Sequence, residues 1–116
     1  MKDSLNHLIE EIRVFSEERD WQQFHSPKNL SMALVVEASE ILEIFQWLTF
    51  EQSQRIEGTQ LAKAKEEIGD VMIYLVRLAD RLSVSPLEAA FEKLEKNRKK
   101  YPIEKSRGNA KKYTEF

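Results

Sequence analysis

The sequence predicts an all-α fold, an antiparallel helical bundle of four main helices, and three observations carry that expectation. Apolar residues recur at three- and four-residue spacing in four blocks, and no alternating pattern competes with them. Only three Gly and three Pro interrupt 116 residues. Where the periodicity does break, residues able to cap helices stand at the breaks. A chain of this length has room for one hydrophobic core, so a single domain over 1–116 is expected.

The first block runs from about Ser4 to Arg19, with Leu5, Leu8, Ile9, Ile12 and Phe15 on one stripe. Residues 20–28 then lose the period in a loop rich in aromatic and polar side chains, and Pro27 disfavours helix at Ser26. A second helix is expected from an N-cap at Asn29 to Leu48. Thr49 caps a short helical piece ending near Gly58, and Thr59 caps a third long helix reaching about Leu82. Ser85 caps a fourth with Pro86 at its first position, where the missing N–H costs nothing, and this helix stops near Tyr101-Pro102. Residues 103–116 show no amphipathic period and read as an extended basic tail.

Composition narrows the classes. The 41% apolar and 33% charged shares are those of a soluble globular protein. No apolar run approaches the ~20 residues that span a bilayer and none follows Met1, so a cytoplasmic location with no membrane partner is expected. The absence of Cys removes disulfides, thiolate nucleophiles and thiolate metal sites together. Residues 1–92 carry nine Lys and Arg against seventeen Asp and Glu, whereas residues 93–116 carry nine against three. An acidic body repels a nucleic-acid backbone over most of its surface, so no nucleic-acid partner is expected. A basic end beside an acidic pocket suits a polyphosphate with a metal; a plainly solvated basic tail is the alternative.

The second and third helices are apolar on two faces. Leu34, Ile41, Leu42, Phe45 and Leu48 line one side of the second while Ala33, Val36, Ile44 and Trp47 line another. The third has Leu61, Ala64, Ile68, Val71, Leu75, Leu78 and Leu82, with Met72, Val76 and Ala79 beside them. Such helices are buried on two sides, which four helices of this size do not achieve alone. A homo-oligomer, dimer or tetramer, is expected.

Four carboxylates interrupt those apolar faces. Glu37 and Glu40 on the second helix, and Glu67 and Asp70 on the third, are spaced i,i+3 and so face one way. Ionised carboxylates in a dry interior cost several kcal/mol each unless partnered, and four anions cannot satisfy one another. Hard oxygen ligands without Cys or suitably spaced His point to Mg²⁺, or Mn²⁺ in its place. The alternative is that the acids pair with Lys or Arg or lie on a wet face. Glu43 and Glu66 flank the set and are expected to face solvent or support it.

Glu37-Ala38-Ser39-Glu40, twenty-six residues, then Glu67-Ile68-Gly69-Asp70 resembles the Glu-x-x-Glu…Glu-x-x-Asp signature of MazG-like all-α nucleotide pyrophosphohydrolases. Glu18-Arg19-Asp20-Trp21-Gln22-Gln23-Phe24-His25, Phe45-Gln46-Trp47, the Asp70–Leu75 stretch, Asn97–Pro102 and Lys111–Glu115 are similar to the dCTP pyrophosphatase branch of that family. The resemblance covers nearly the whole chain from about residue 10. It implies Mg²⁺ held by the acids at Glu37, Glu40, Glu67 and Asp70, and hydrolysis of a nucleoside triphosphate between the α and β phosphates to monophosphate and pyrophosphate. It also implies oligomers of intertwined helices and an activity on dCTP or its cytosine-modified forms.

Trp21, His25, Trp47 and Tyr74 are candidates for the base pocket, since a base gains roughly 1–3 kcal/mol per aromatic stacking partner. By spacing alone Tyr74 reads as core and His25 as a surface residue; the resemblance moves Trp21 and Trp47 toward substrate. Trp47, two turns past Glu40 on a continuous helix, would set a base beside metal-bound phosphates. Lys93, Asn97, Arg98, Lys100 and Tyr101 close the fourth helix, where cations also complement the helix dipole. In the functional reading Lys93, Asn97 and Arg98 reach the triphosphate, from the same chain or from a neighbouring subunit, Tyr101 joins them in binding substrate, and Arg107, Lys111, Lys112 and Tyr113 fold over as a lid. The rival readings are a nucleic-acid-binding module built on residues 93–116 and a non-catalytic helical scaffold.

Overall fold

The computed structural model describes residues 4–116; residues 1–3, the start of the expected 1–116 domain, lie outside the described residues. Every regular element is helical. Six α-helices run Leu5–Glu18 (α1), Pro27–Phe45 (α2), Phe50–Ser53 (α3), Gly58–Arg81 (α4), Pro86–Lys100 (α5) and Ile103–Ser106 (α6), with single 3₁₀ turns at Gln22–Phe24 and Tyr113–Glu115. Four of these are long, as expected. Residues up to 83 and residues 84–116 form two compact units, described in turn.

In the first unit α1 begins where the Ser4 side chain accepts from the His7 N–H at 3.0 Å. It ends by turning back on itself. Asp20 adopts the left-handed region (φ 53°), the Asp20 N–H bonds the Glu17 carbonyl at 3.1 Å and the Trp21 N–H bonds the Ser16 carbonyl at 2.9 Å. Asp tolerates this conformation better than most residues. The turn brings Trp21 edge-on to Phe15, with ring centroids 5.6 Å apart. The aromatic loop is therefore folded over α1.

The cap of α2 lies earlier than Asn29. Ser26 is extended (φ −69°, ψ 153°) and its hydroxyl accepts from the Asn29 N–H at 3.1 Å, with Pro27 as the first helical residue. Asn29 instead ties the loop down by donating from its side chain to the Phe24 carbonyl at 3.0 Å. The far end of α2 is also earlier, at Phe45 in place of Leu48. Thr49 caps α3 as expected, in a reciprocal box with Gln52, but α3 closes at Ser53 and not near Gly58. Glu57 and not Thr59 precedes α4, which starts on Gly58 at φ 59°. These shifts move α2 three residues earlier along the chain at both ends and start α4 two residues earlier.

The core of this unit is small and sits where α2 packs along α4 and α1 crosses the C-terminal half of α4. Ile12, Leu30, Ala64, Val76 and Ala79 are buried, together with Ser16 and Arg77. Arg13 on α1 reaches Asp80 on α4 through Nε at 2.8 Å, pinning the crossing. Members of both apolar faces of α2 and α4 remain exposed: Val36, Leu42, Ile68, Met72 and Leu75. No described helix is long and apolar enough to cross a membrane.

In the second unit Ser85 caps α5, its hydroxyl accepting from the Glu88 N–H at 3.3 Å, with Pro86 at the first position. The tail is not extended. Pro102 starts the single turn α6, and the chain comes back so that Tyr101 packs edge-on against Tyr113 and Phe116 at 6.0 and 5.8 Å. Lys100 Nζ lies 4.8 Å from the Tyr113 ring. Three aromatic rings and a cation supply the contacts that an amphipathic period did not advertise.

Leu30 is 1% exposed at the α2–α4 contact, so Leu30→Ala is expected to cost about 2–5 kcal/mol of stability. Urea unfolding measures it. A loss below about 1 kcal/mol would mean that the core lies elsewhere.

Candidate metal and nucleotide site

Packing α2 along α4 brings two i,i+3 acid pairs face to face. One carboxylate oxygen from each of Glu37, Glu67 and Asp70 lies within 4.8 Å of the others. Glu37 and Glu67 are half-buried and Asp70 is exposed. Glu40 adjoins this trio, close enough to act on both Glu37 and Glu67 by hydrogen bonding and by charge. Glu43 and Glu66 face solvent.

The cluster has too much negative charge and too few donors. Glu37 Oε2 and Glu67 Oε2 are buried without a hydrogen-bond partner among the described residues. None of the four acids pairs with a Lys or Arg among those residues. A carboxylate oxygen is an acceptor only, so its neighbours cannot satisfy it unless one takes up a proton. The pKa values follow. Glu67 is pushed up to about 7, first by hydrogen bonding with Glu40 and then by desolvation and the charges of Glu40, Glu37 and Asp70. Glu37 is raised chiefly by burial, with Glu40 and Asp70 adding to it. All-oxygen donors on rigid helices with unpaired buried lone pairs suit a hard divalent cation.

A raised carboxylate pKa has a definite sign in stability. Between the unfolded value of 4.5 and about 7 the folded chain binds more protons than the unfolded chain, so stability falls as pH rises through that window. In Mg²⁺-free buffer the melting temperature is expected to drop from pH 5 to pH 7.5, and Glu67→Gln is expected to flatten the drop. A wild-type profile that rises across this range would show that the acids do not share one space.

Next to Asp70 opens a cavity of about 510 Å³ formed by α1, the 21–25 loop and α4. It gathers Trp21, His25 and Tyr74, three of the four expected base-pocket residues, on the side of α4 that carries Asp70. Trp47 is not part of its wall. Because α2 stops at Phe45, the helical phase that placed Trp47 on the Glu40 face does not continue, and the indole stands 86% exposed. Lys93, Asn97, Arg98 and Tyr101 all belong to the second unit. There Asn97 is half-buried, Arg98 pairs with Glu95, and Tyr101 packs on Tyr113 and Phe116.

Two features escaped the sequence reading. The first is the α1 wall of the cavity, with Glu11, Ile12, Phe15 and Arg19, whose apolar members read as ordinary core. The second is Arg77, buried and lining the same cavity. A signal for Arg77 exists: Glu67, Asp70, Tyr74, Arg77 and Arg81 follow one another at alternating spacings of three and four along one face of α4.

The model of the MazG-like family matches residues 32–116. The chain is 44% identical over 114 residues to dCTP pyrophosphatase 1 of Bos taurus, covering 93% of this chain and 68% of that protein. It is 43% identical to dCTP pyrophosphatase 1 of Homo sapiens, covering 93% and 67%. Among solved structures it resembles a pyrophosphatase from Archaeoglobus fulgidus with a TM-score of 0.80 at 39% identity, over 84% of this chain and 91% of that one. With a family match over most of its length and two i,i+3 acid pairs meeting between α2 and α4, the chain belongs to the MazG-like family and is homologous to dCTP pyrophosphatase 1.

Proposed function

We propose that this chain is a Mg²⁺-dependent pyrophosphohydrolase that cleaves dCTP, or a cytosine-modified or related pyrimidine deoxynucleotide, between the α and β phosphates. The products are the monophosphate and pyrophosphate, and the role is removal of unwanted nucleotides from the cytoplasmic pool. The observation that carries this reading is the pair of buried, partnerless oxygens on Glu37 and Glu67 beside a cavity lined by aromatic rings. The homology to dCTP pyrophosphatase 1 supports the choice of substrate.

Glu37, Glu67 and Asp70 would hold the cation, and Glu40 would complete its shell or act from beside it. Mg²⁺ bound there would neutralise phosphate charge and lower the pKa of a bound water. Glu40 adjoins the tight trio without belonging to it, which makes it the best placed of the four to accept a proton from the attacking water. The chain's own contribution is alignment. Acids fixed on two packed helices and a base held in the neighbouring cavity would bring water and α phosphorus together in one orientation. Trp21 and Tyr74 would flank the base while His25 offers it a hydrogen bond.

The exposed members of the apolar faces of α2 and α4 support assembly into a homo-oligomer of single-domain chains, dimer or tetramer. Trp47, exposed outside the cavity, is then available to a neighbouring copy's base. Lys93, Asn97, Arg98 and Tyr101 would serve the triphosphate, with the basic end as their source of charge.

Incubation of dCTP with the protein and Mg²⁺ is expected to release pyrophosphate and dCMP in equal amounts. Glu67→Gln should lower kcat by at least about a hundredfold while leaving the helical circular dichroism unchanged. Orthophosphate as the sole inorganic product would mean a different bond is cut. Millimolar Mg²⁺ should raise the wild-type melting temperature and leave that of Glu37→Gln/Glu67→Gln unmoved. A scaffold protein would show neither effect.

A further inference from the structure

Arg77 is the charged side chain that the proposed chemistry leaves unused. It is 3% exposed, sits three residues beyond Tyr74 on α4 and lines the cavity. Its guanidinium is thinly paired. Nη1 lies 3.5 Å from the Asp80 carboxylate, but that carboxylate already accepts both bonds of a two-point contact from Arg13. Nη2 is buried with no hydrogen-bond partner among the described residues. A buried cation so short of acceptors is less favourable than an apolar side chain of similar volume, so packing does not account for it.

What Arg77 holds is His25. Its Nε–H donates to His25 Nδ1 at 3.2 Å, and one turn further Arg81 Nε–H donates to the His25 carbonyl at 3.1 Å. Trp21 stands edge-on to the same imidazole, 6.2 Å between ring centroids. Two arginines from one face of α4 therefore grip the side chain and the backbone of a single loop residue.

We propose that Arg77 and Arg81 are positioning residues, a two-point clamp that holds the 20–26 loop to the cavity wall. The clamp fixes His25 in the tautomer with its proton on Nε2, so that His25 donates to an acceptor on the bound nucleobase. An imidazole nitrogen that receives an N–H bond must carry a lone pair, which leaves the single proton of the neutral ring on Nε2. Burial, with the charges of Arg77 and Arg81, keeps His25 below the ordinary histidine range and hence neutral at pH 7. The charges acting on His25 are those of Arg77 and Arg81, those acting on Arg77 are Arg81 and Asp80 on α4 and Arg13 and Glu17 on α1, and Glu11, Glu18 and Asp70 line the same cavity. Protonation at Nδ1 would point two N–H groups at each other and release the clamp. A cytosine ring presents O2 and N3 as adjacent acceptors, whereas N3 of uracil or thymine carries a proton. An N–H donor fixed against N3 favours the first pattern, since it would meet the N3 proton of the second.

This rests on the assignment of the cavity to a nucleobase, and the test separates the two. Long-range proton–nitrogen spectra of the nucleotide-free full chain, with His7→Gln to assign the rings, are expected to show His25 bearing its proton on Nε2 at pH 7.5. Nδ1–H or an imidazolium would overturn the clamp whatever the activity. Arg77→Met is expected to weaken dCMP binding in Mg²⁺-free calorimetry about tenfold. It should also raise KM for dCTP with kcat within about twofold, at an unchanged or higher melting temperature. Unchanged dCMP affinity with a lowered melting temperature would make Arg77 structural and overturn the proposal. Arg81 is exposed, so Arg81→Met tests the second arm even if Arg77→Met fails to fold, and unaltered dCMP affinity there would remove that arm. If wild type shows the tautomer yet binds no dCMP, the assignment of the cavity falls and takes the donor's role with it.

Discussion

Like charges held together at a helix–helix contact are the constraint on which this molecule turns. α2 and α4 pack through small and aliphatic side chains, and the same packing drives Glu37, Glu67 and Asp70 to within 4.8 Å of one another. Hydrophobic burial elsewhere along the two helices must offset that repulsion. The energy stored in the cluster is recoverable, because a cation or a proton relieves it. The fold thus builds affinity for positive charge out of a destabilising feature, and among the described residues no Lys or Arg pairs with the four acids.

Much of this was legible in the residues. An acid inside an apolar stripe is conspicuous because the stripe predicts what should be there, and two such pairs on successive helices predict that they meet. Helix caps were less secure. Asn29 is the expected cap of α2, but Ser26 caps it because the fixed φ of Pro27 fits the first helical position, while Asn29 finds a different bond to Phe24. Trp47 shows the cost of such errors. An end three residues earlier on α2 removes the helical phase that placed the indole near Glu40, and no local signal marks Phe45 as the end. The tail failed for the opposite reason. Its order comes from Tyr101 meeting Tyr113 and Phe116 more than ten residues on, a contact that periodicity cannot report.

The apolar faces of α2 and α4 raise a related point about what one chain can satisfy. Val36, Leu42, Ile68 and Met72 lie more than two-fifths exposed although they belong to the stripes that read as buried. Periodicity records what evolution has hidden from water, by whatever partner. The mismatch between a two-sided stripe and a one-sided core is therefore informative in itself, and it is the physical content of the homo-oligomer in the proposed function.

The order of charges along α4 completes the argument. One face carries Glu67 and Asp70, then Tyr74, then Arg77 and Arg81, so negative potential at one end gives way to positive potential at the other. At 1.5 Å per residue, Glu67 and Arg77 stand ~15 Å apart along the axis. That distance is far beyond ion-pair reach, and Arg77 pairs with Asp80 and not with the acids. Moved a turn earlier, to the position of Ile73, a guanidinium could reach the Asp70 carboxylate and compete for the oxygens that a dication needs. Placed where it is, it instead meets His25 and the loop that carries Trp21. In the proposed function this one helical face would hold a metal-bound triphosphate at one end and a base at the other, because the spacing along the helix keeps the two sets of charges from pairing.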